Sequence, residues 1–327
     1  MATIRFDQDA NLWDLNGLAV GIIGYGNQGR AQALNLRDSG VDVRIGARQK
    51  GRSAQKAETD GFQIETIEHI AASCQILVLT LPDETMQPVY SQSIEPYLIP
   101  GLTFVFAHGF AVHHKILRLP QDIDIVLVAP TGPGHQLRSL YTQGKGLPAL
   151  IAVEQDASGY AKKRCLAYAR AIGSTRAGAI ETTFAEETTT DLFCEQAVLC
   201  GGIPELIKAS FQILVDAGYQ PELAYISCLK EVKLIADLLF ERGLPEMREA
   251  ISTTARYGAA LSGPEIIDGR TRERLSQVLR RIEDGSFASE FLSPQSNRHD
   301  LLKDQMDAEK HSKLARTGIE LANKIEF

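Results

Sequence analysis

The segment Gly24-Tyr25-Gly26-Asn27-Gln28-Gly29 spaces its glycines as G-x-G-x-x-G, between an apolar run, Leu18 to Ile23, and an amphipathic stretch, Gln28 to Ser39. A strand, a tight turn and a helix in that order hold a pyrophosphate. Gly24 permits the turn, Gly26 lets the backbone approach the phosphates, and Gly29 lets the helix pack on the sheet, while the helix N-terminus supplies unpaired N–H donors. The implied ligand is a nicotinamide dinucleotide. Its 2′ substituent is read at the end of the second strand, about 20 residues on, where a ribose diol calls for an acidic residue. The stretch there is instead Gly46-Ala47-Arg48-Gln49-Lys50-Gly51-Arg52-Ser53, three cations and a hydroxyl. Arg48, Arg52 and Ser53 suit a 2′-phosphate, which points to NADPH.

A second group of residues could move protons or hold a cation. His108 follows the apolar run Thr103 to Ala107 and precedes Gly109, which puts it at a strand's carboxyl end, where ligands bind in open α/β sheets. Asp191 and Glu195 are one helical turn apart, on one face, and together suit a hard cation. His113 and His114 look like a metal pair, but neighbours in sequence are expected to diverge on a strand or a helix. Cys194, Cys200 and Cys228 stand among apolar helical positions, where a buried, inert thiol is the ordinary expectation. Leu206, Ile207, Phe211 and Leu214 form an apolar stripe expected to face a core.

The elements that would position these residues fall into two sets. In the first half, apolar runs at Leu18–Ile23, Val41–Ile45, Ile76–Leu81, Thr103–Ala107, Ile123–Ala129 and Ala149–Val153 alternate with helical patterns at 28–39, 54–60 and 160–172. That alternation predicts βαβ units and a parallel, doubly wound sheet covered on both faces. After about Glu181 only 3.6-residue periodicity remains, at 188–200, 204–216, 222–240, 244–257 and 271–284, followed by a polar tail from Ser293 to Lys310. The expected division is therefore an α/β dinucleotide domain, residues 1–181, and an all-α domain, residues 182–327.

Composition narrows the function classes. A net charge of −7 without a basic run argues against nucleic acid as partner. No apolar run approaches the ~18 residues of a membrane span, and the first residues lack the layout of a signal peptide. Five cysteines without C-x-x-C spacing fit neither a disulfide framework nor a zinc cluster. Together these point to a cytoplasmic two-domain enzyme acting on a small molecule.

Several segments resemble ketol-acid reductoisomerases of the short form: GYGNQGRAQALNLRDSG from Gly24, LPDET from Leu81, FAHGF from Phe106, APTGPGH from Ala129, ETTFAEETTTDLF from Glu181, EQAVLCGG from Glu195, AGYQPELAY from Ala217 and GSFASEF from Gly285. The resemblance covers nearly the whole chain in order. It implies a Rossmann domain followed by a helical domain that interlocks with its copy, knot-like, in a homodimer. It also implies two Mg²⁺ ions between the domains, and alkyl migration followed by hydride transfer from NADPH. By the same resemblance the cofactor meets Gly24, Tyr25, Gly26, Asn27, Gln28, Gly29, Leu81, Pro82, Asp83, His108 and Gly134. The catalytic group is His108, Asp191, Glu195 and Glu231, and the substrate meets Thr131, Ser227 and Ser252.

Departures from the family pattern gather in that site. Thr131 stands where the family has lysine, and Ser227 where it has the first of two glutamates four residues apart, leaving Glu231. Arg256 replaces a glutamate, Arg30 a histidine and Cys194 a glycine. Migration needs a polarised ketone and a deprotonated alcohol at once, which paired metals supply. With Thr131 and Ser227 the second metal site is expected to be lost, and a Mg²⁺ on Asp191 and Glu195 stays open. The leading expectation is an NADPH-dependent reductase of a small imine or carbonyl that has kept hydride transfer and lost the migration. Asp191, Glu195 and Glu231, enclosed together, would then share a proton near neutral pH. The alternatives are the family's Mg²⁺-dependent isomeroreduction of 2-acetolactate and a catalytically silent NADPH-binding dimer.

Overall fold

The computed structural model describes residues 2–48 and 51–325, in two compact units, Met1–Thr190 and Asp191–Phe327. The boundary falls inside a continuous helix, Phe184–Cys194, later in the chain than the strand-to-helix change that the sequence pattern marks.

The first unit is built on nine strands: β1 Ile4–Arg5, β2 Ala19–Ile23, β3 Asp42–Gly46, β4 Ile64–Glu65, β5 Ile76–Leu79, β6 Thr103–Phe106, β7 Asp124–Pro130, β8 Ala149–Gln155 and β9 Ala179–Glu181. They lie in the order β1-β9-β8-β7-β6-β5-β2-β3-β4. From β4 to β7 the pairing is parallel, as the alternation of apolar runs and helices requires. Side chains alternate between two cores, one on each face: Val20, Ile22, Val78, Val105 and Val126 on one, Ile23, Leu77, Leu79, Phe104 and Phe106 on the other. Strands buried on both faces read as unbroken apolar runs, which is why they show in the sequence.

The sheet is mixed rather than wholly parallel, a correction to the expected parallel winding. β8 runs antiparallel to β7, and β1 antiparallel to β9. The cause lies in the helices, which in this unit are α1 Asn27–Asp38, α2 Arg52–Thr59, α3 Ile67–Ser73, α4 Asp83–Val89, α5 Phe110–His113, α6 Gly134–Thr142 and α7 Ala161–Ala171. α6 does not carry the chain back across the sheet as a crossover helix would. It packs against α1, and the chain returns beside β7 in the opposite direction.

Four bonds fasten α6 and the turn before it to α1 and its end. Gln28 Nε2 donates to the Gly132 carbonyl (2.8 Å), Arg138 donates to Asn35 Oδ1 (2.9 Å) and Asp38 Oδ2 (2.6 Å), and the Ser39 and Tyr141 hydroxyls share a bond (2.7 Å). The backbone of Gly134 lies directly on the carbonyl of Asn27, leaving no room for a Cβ.

The second unit contains the rest of α8 (Phe184–Cys194), then α9 Gly202–Asp216, α10 Pro221–Tyr225, α11 Glu231–Ala250, α12 Thr253–Ile266, α13 Gly269–Glu283, α14 Ser286–Leu292, α15 Arg298–Lys310 and α16 Lys313–Ala322. Two π-helical turns interrupt the α-helical run, Glu195–Leu199 and Ile226–Lys230. The expected single helix over 244–257 is broken at Ile251 and Ser252, where extended backbone and the Ser252 cap start a new helix. The polar tail from Ser293 contains α15, whose charged residues are a solvated face.

Burial in this unit also differs from expectation. Of the stripe Leu206, Ile207, Phe211 and Leu214, Phe211 is buried while Leu206 is half exposed, and Cys194 and Cys200 are exposed. The apolar positions are real, but within one chain little covers them. For the same reason the helical stretch Phe184–Asp216 is long and apolar enough, by length and composition, to cross a membrane. A search for uninterrupted apolar runs passes over it because Glu205 and Lys208, which pair with each other, break the run.

Substituting Gly134 by Ala would drive a methyl into the Asn27 carbonyl. The expected cost is at least the ~1–3 kcal/mol of an overpacked site, read as a lower urea midpoint with an unchanged slope; a midpoint equal to wild type would show that the two turns are not locked together.

Candidate functional site

Adjacent strands end level with one another. Ile23 pairs with Gly46 on one side and Leu79 on the other, and Leu79 pairs with Phe106. The residues that follow, Gly24, Ala47, Thr80 and Ala107–His108, therefore share the carboxyl edge of the sheet. β2 is the strand from which the order runs outward in both directions, the switch point where a crevice opens in such sheets.

At that point Gly24 adopts φ +100°, and a Cβ there would lie 2.7 Å from the Thr80 carbonyl. Thr80 Oγ1 donates to the Gly24 carbonyl (2.8 Å), and Gly29 packs so closely on both that a side chain is excluded. Gly26, the N-cap of α1, has open space where a Cβ would be. The first intrahelical bond is donated by Arg30 to Gly26, so the N–H groups of Asn27, Gln28 and Gly29 have no helical carbonyl to bond. An open glycine at a helix N-terminus fits a dinucleotide's phosphates.

Other predicted cofactor residues take more specific roles. Tyr25 contributes backbone to the loop, but its ring is buried against Phe62 and its hydroxyl donates to Asp60 (3.0 Å). The Gln28 side chain braces the turn at Gly132 and accepts from Gln32, whose carbonyl oxygen accepts from the buried Tyr168 hydroxyl (2.6 Å). Arg48, Arg52 and Ser53 are exposed around the start of α2, with no acidic residue between Gly46 and Arg48. Lys50, the third cation of that stretch, lies outside the described residues. Leu81 and Pro82 lead from β5 into α4, which Asp83 begins. Burial pushes the Asp83 carboxyl up, with nearby Glu84 and Glu187 adding to the shift and His108 opposing it.

The strongest polar arrangement involves a residue the sequence reading passed over. Glu187, on α8, is a buried carboxylate. One of its oxygens bonds His108 Nδ1 (2.8 Å), and the other accepts from the Gly109 N–H (2.7 Å). A carboxylate only accepts, so the ring proton sits on Nδ1 and Nε2 is the atom that exchanges protons. Gly109 is required here: a Cβ would run into Thr188 and the Glu187 carboxylate. Asp191 follows one turn along the same unbroken helix, and ligand-capable atoms of His108, Glu187 and Asp191 all lie within 4.8 Å of one another. The signal was in the sequence: Glu187, Asp191 and Glu195 recur every fourth residue.

His108 stacks parallel to Phe110 (6.3 Å), and Phe110 meets His114 edge to face (4.9 Å). The adjacent His113 and His114 rings do not diverge; their centroids are 4.7 Å apart. α5 is a single turn and His114 caps its end, so the regular angular step between neighbours is lost. Burial, with His113 and His108 nearby, lowers the His114 pKa.

Thr131 stands just past β7, and its hydroxyl donates to the Pro148 carbonyl (3.0 Å). In the second unit, Glu195 opens the first π-turn, Ser227 lies in the second and Glu231 follows it. The Ser252 hydroxyl accepts from the Ala255 N–H, capping α12.

An α/β domain with a glycine phosphate loop and an acid-held histidine at its sheet edge, followed by a helical unit bearing carboxylates, defines a pyridine-nucleotide oxidoreductase. Residues 14–178 match the family described as acetohydroxy acid isomeroreductase, NADPH-binding domain, and residues 184–327 the ketol-acid reductoisomerase C-terminal domain. The chain belongs to the ketol-acid reductoisomerase family. It is similar to an NADH-preferring ketol-acid reductoisomerase from an uncultured archean, at 38% identity and TM-score 0.96, covering 99% of this chain and 100% of that one. It shares a fold with a pyrroline-5-carboxylate reductase from Coxiella burnetii, at 16% identity and TM-score 0.56, covering 86% of this chain and 100% of that one. A putative oxidoreductase from Jannaschia sp. CCS1 also shares it, at 15% identity and TM-score 0.61, covering 81% and 97%.

Glu187→Gln replaces an acceptor with a group whose amide can donate, and should move the neutral His108 proton from Nδ1 to Nε2. Ring ¹⁵N shifts report the tautomer directly; an Nδ1–H signal unchanged in the variant would defeat this reading.

Proposed function

We propose that this chain is an NADPH-dependent reductase that delivers hydride to a small imine or carbonyl compound without the preceding alkyl migration. The observation that carries the proposal is at Thr131. Where the family pattern has a lysine, this chain has a short hydroxyl already bonded to a backbone carbonyl. Ser227 acts in the same direction, offering a neutral hydroxyl where the pattern has a carboxylate.

The donor set does not fit a pair of magnesium ions. Of the four carboxylate positions in the pattern, Asp191, Glu195 and Glu231 remain, and Glu187 already accepts from His108 and Gly109. Mg²⁺ wants near-octahedral oxygen ligands, and nitrogen from His108 is a poor substitute. The reaction then rests on the chain's own groups. Bound NADPH would supply hydride to the carbon of C=N or C=O while the chain supplies a proton to the nitrogen or oxygen, giving an amine or alcohol and oxidised cofactor. His108, with Nδ1 held by Glu187, relays that proton through Nε2.

The family reaction is the second reading, favoured by the 38% identity to a ketol-acid reductoisomerase across the whole chain. That relative is NADH-preferring; here Arg48, Arg52 and Ser53 favour a 2′-phosphate. The helical unit leaves Val198, Ile213, Leu223, Leu234, Phe240 and Leu261 exposed. A surface this apolar fits a second copy of the chain, so the assembly is proposed to be a homodimer.

Two measurements test these points. With 2-acetolactate, NADPH and Mg²⁺, no rearranged dihydroxy acid should form, whereas 3-hydroxy-2-keto acids or cyclic imines should oxidise NADPH with turnover independent of Mg²⁺. Magnesium-dependent formation of the dihydroxy acid, identified by mass and chirality, would establish the second reading instead. In light scattering after size exclusion, the chain should run as a dimer at micromolar concentration; a folded monomer would refute the assembly.

A further inference from the structure

Arg30, where the family pattern has histidine, is not explained by the phosphate loop it follows. Its guanidinium forks onto Asp60, Nε to Oδ2 (2.6 Å) and Nη2 to Oδ1 (2.8 Å). The Tyr25 hydroxyl donates to the same carboxylate (3.0 Å), and Arg37 Nη1 donates to the Asp60 carbonyl (2.6 Å) while lying over the Phe62 ring (4.9 Å). Asp60 is the C-cap of α2. A negative charge at that end opposes the helix dipole, so local helix stability does not account for it.

We propose that Asp60 is a positioning residue for cofactor discrimination, holding α2 so that Arg52 and Ser53 at its other end meet the 2′ substituent. The proposal rests on the reading that those two residues face a 2′-phosphate. Little else orients α2. It is eight residues long, about 12 Å, its buried side chains are Ala54 and Ala57, and its N-cap, Gly51, makes no side-chain capping bond. The fork therefore ties the helix to α1, and Tyr25 ties it to the glycine loop that holds the pyrophosphate. Arg30, Arg52, Gln55, Lys56, Thr59 and Asp60 line one open cleft of about 360 Å³, so the anchor and the discriminating end share a surface. Lysine in place of Arg30 would keep the charge but not the two-pronged geometry. The Arg30 bonds also hold the Asp60 carboxyl below its ordinary range, against the cost of its burial.

The test is fluorescence titration of NADPH and NADH on wild type, Asp60→Ala and Arg30→Lys, with a melting curve for each. Wild type should prefer NADPH at least ten-fold. Asp60→Ala should weaken NADPH about ten-fold and NADH less than three-fold, so that the preference nearly vanishes. Arg30→Lys, which decides the matter where Asp60→Ala does not fold, should cut the preference at least three-fold. A ten-fold preference kept in folded variants, even with lowered melting temperatures, would make Asp60 merely structural and overturn the proposal. Equal weakening of both cofactors would overturn it as well. A wild type without preference would instead refute the reading of Arg52 and Ser53, and this inference with it.

Discussion

A buried carboxylate must be bonded on both oxygens or it destabilises the fold that contains it. Glu187 meets this requirement by accepting from the imidazole of His108 and the backbone of Gly109, and the site is organised around those two bonds. They pin the turn after β6 to the start of α8. They select the histidine tautomer, and they require glycine at position 109 because the carboxylate occupies the space of a side chain. Remove the charge and the histidine loses its orientation; remove the glycine and the charge loses its seat. Asp191, one turn along, inherits its position from the same helix.

The rest of the first unit makes that edge rigid. Level strand ends place the glycine loop, Thr80 and His108 along one line, and the contact of Gly134 with Asn27 joins the phosphate loop to the turn that carries Thr131. The glycine loop and the turn after β7 are thereby set against each other by backbone, which leaves side chains such as Thr131 open to replacement without loss of the scaffold. Such a division lets side chains at the site vary while the frame is retained. The helical unit is organised differently. Phe211, Met247, Ile282 and Leu321 are buried within it, but Phe240 is 92% exposed and much apolar surface is uncovered by its own chain.

Much of this was legible in the sequence, for reasons that also explain the failures. β2, β5, β6 and β7 announce themselves because both their faces are buried, and the glycine loop because its geometry admits few residue types. β1 and β4 are edge strands of two residues, and β9, next to β1, has three, all too short to carry a pattern. The direction of β8 cannot be read, since an apolar run looks the same whichever way it runs. His113 and His114 misled because their spacing was referred to regular elements, and α5 is barely one. Glu187 was visible by its spacing from Asp191, but its value comes from His108, far away in sequence. Asp60 and Arg30 likewise acquire meaning from a contact that no local pattern encodes.

The π-turns at Glu195–Leu199 and Ile226–Lys230 have a consequence for how the helical unit can change. Each holds one residue more than an α-turn needs, next to a position where the family's pattern has a carboxylate. Loss of a single residue inside the turn would let it relax to α geometry, and because the wide turn already absorbs that residue, the helix beyond would keep its facing. Point substitution alters which group stands at Ser227 or Glu231; a one-residue deletion would alter which residue of the turn stands at a given place on the helix surface. The turns can therefore exchange one residue for its neighbour while the helices that follow stay where they are.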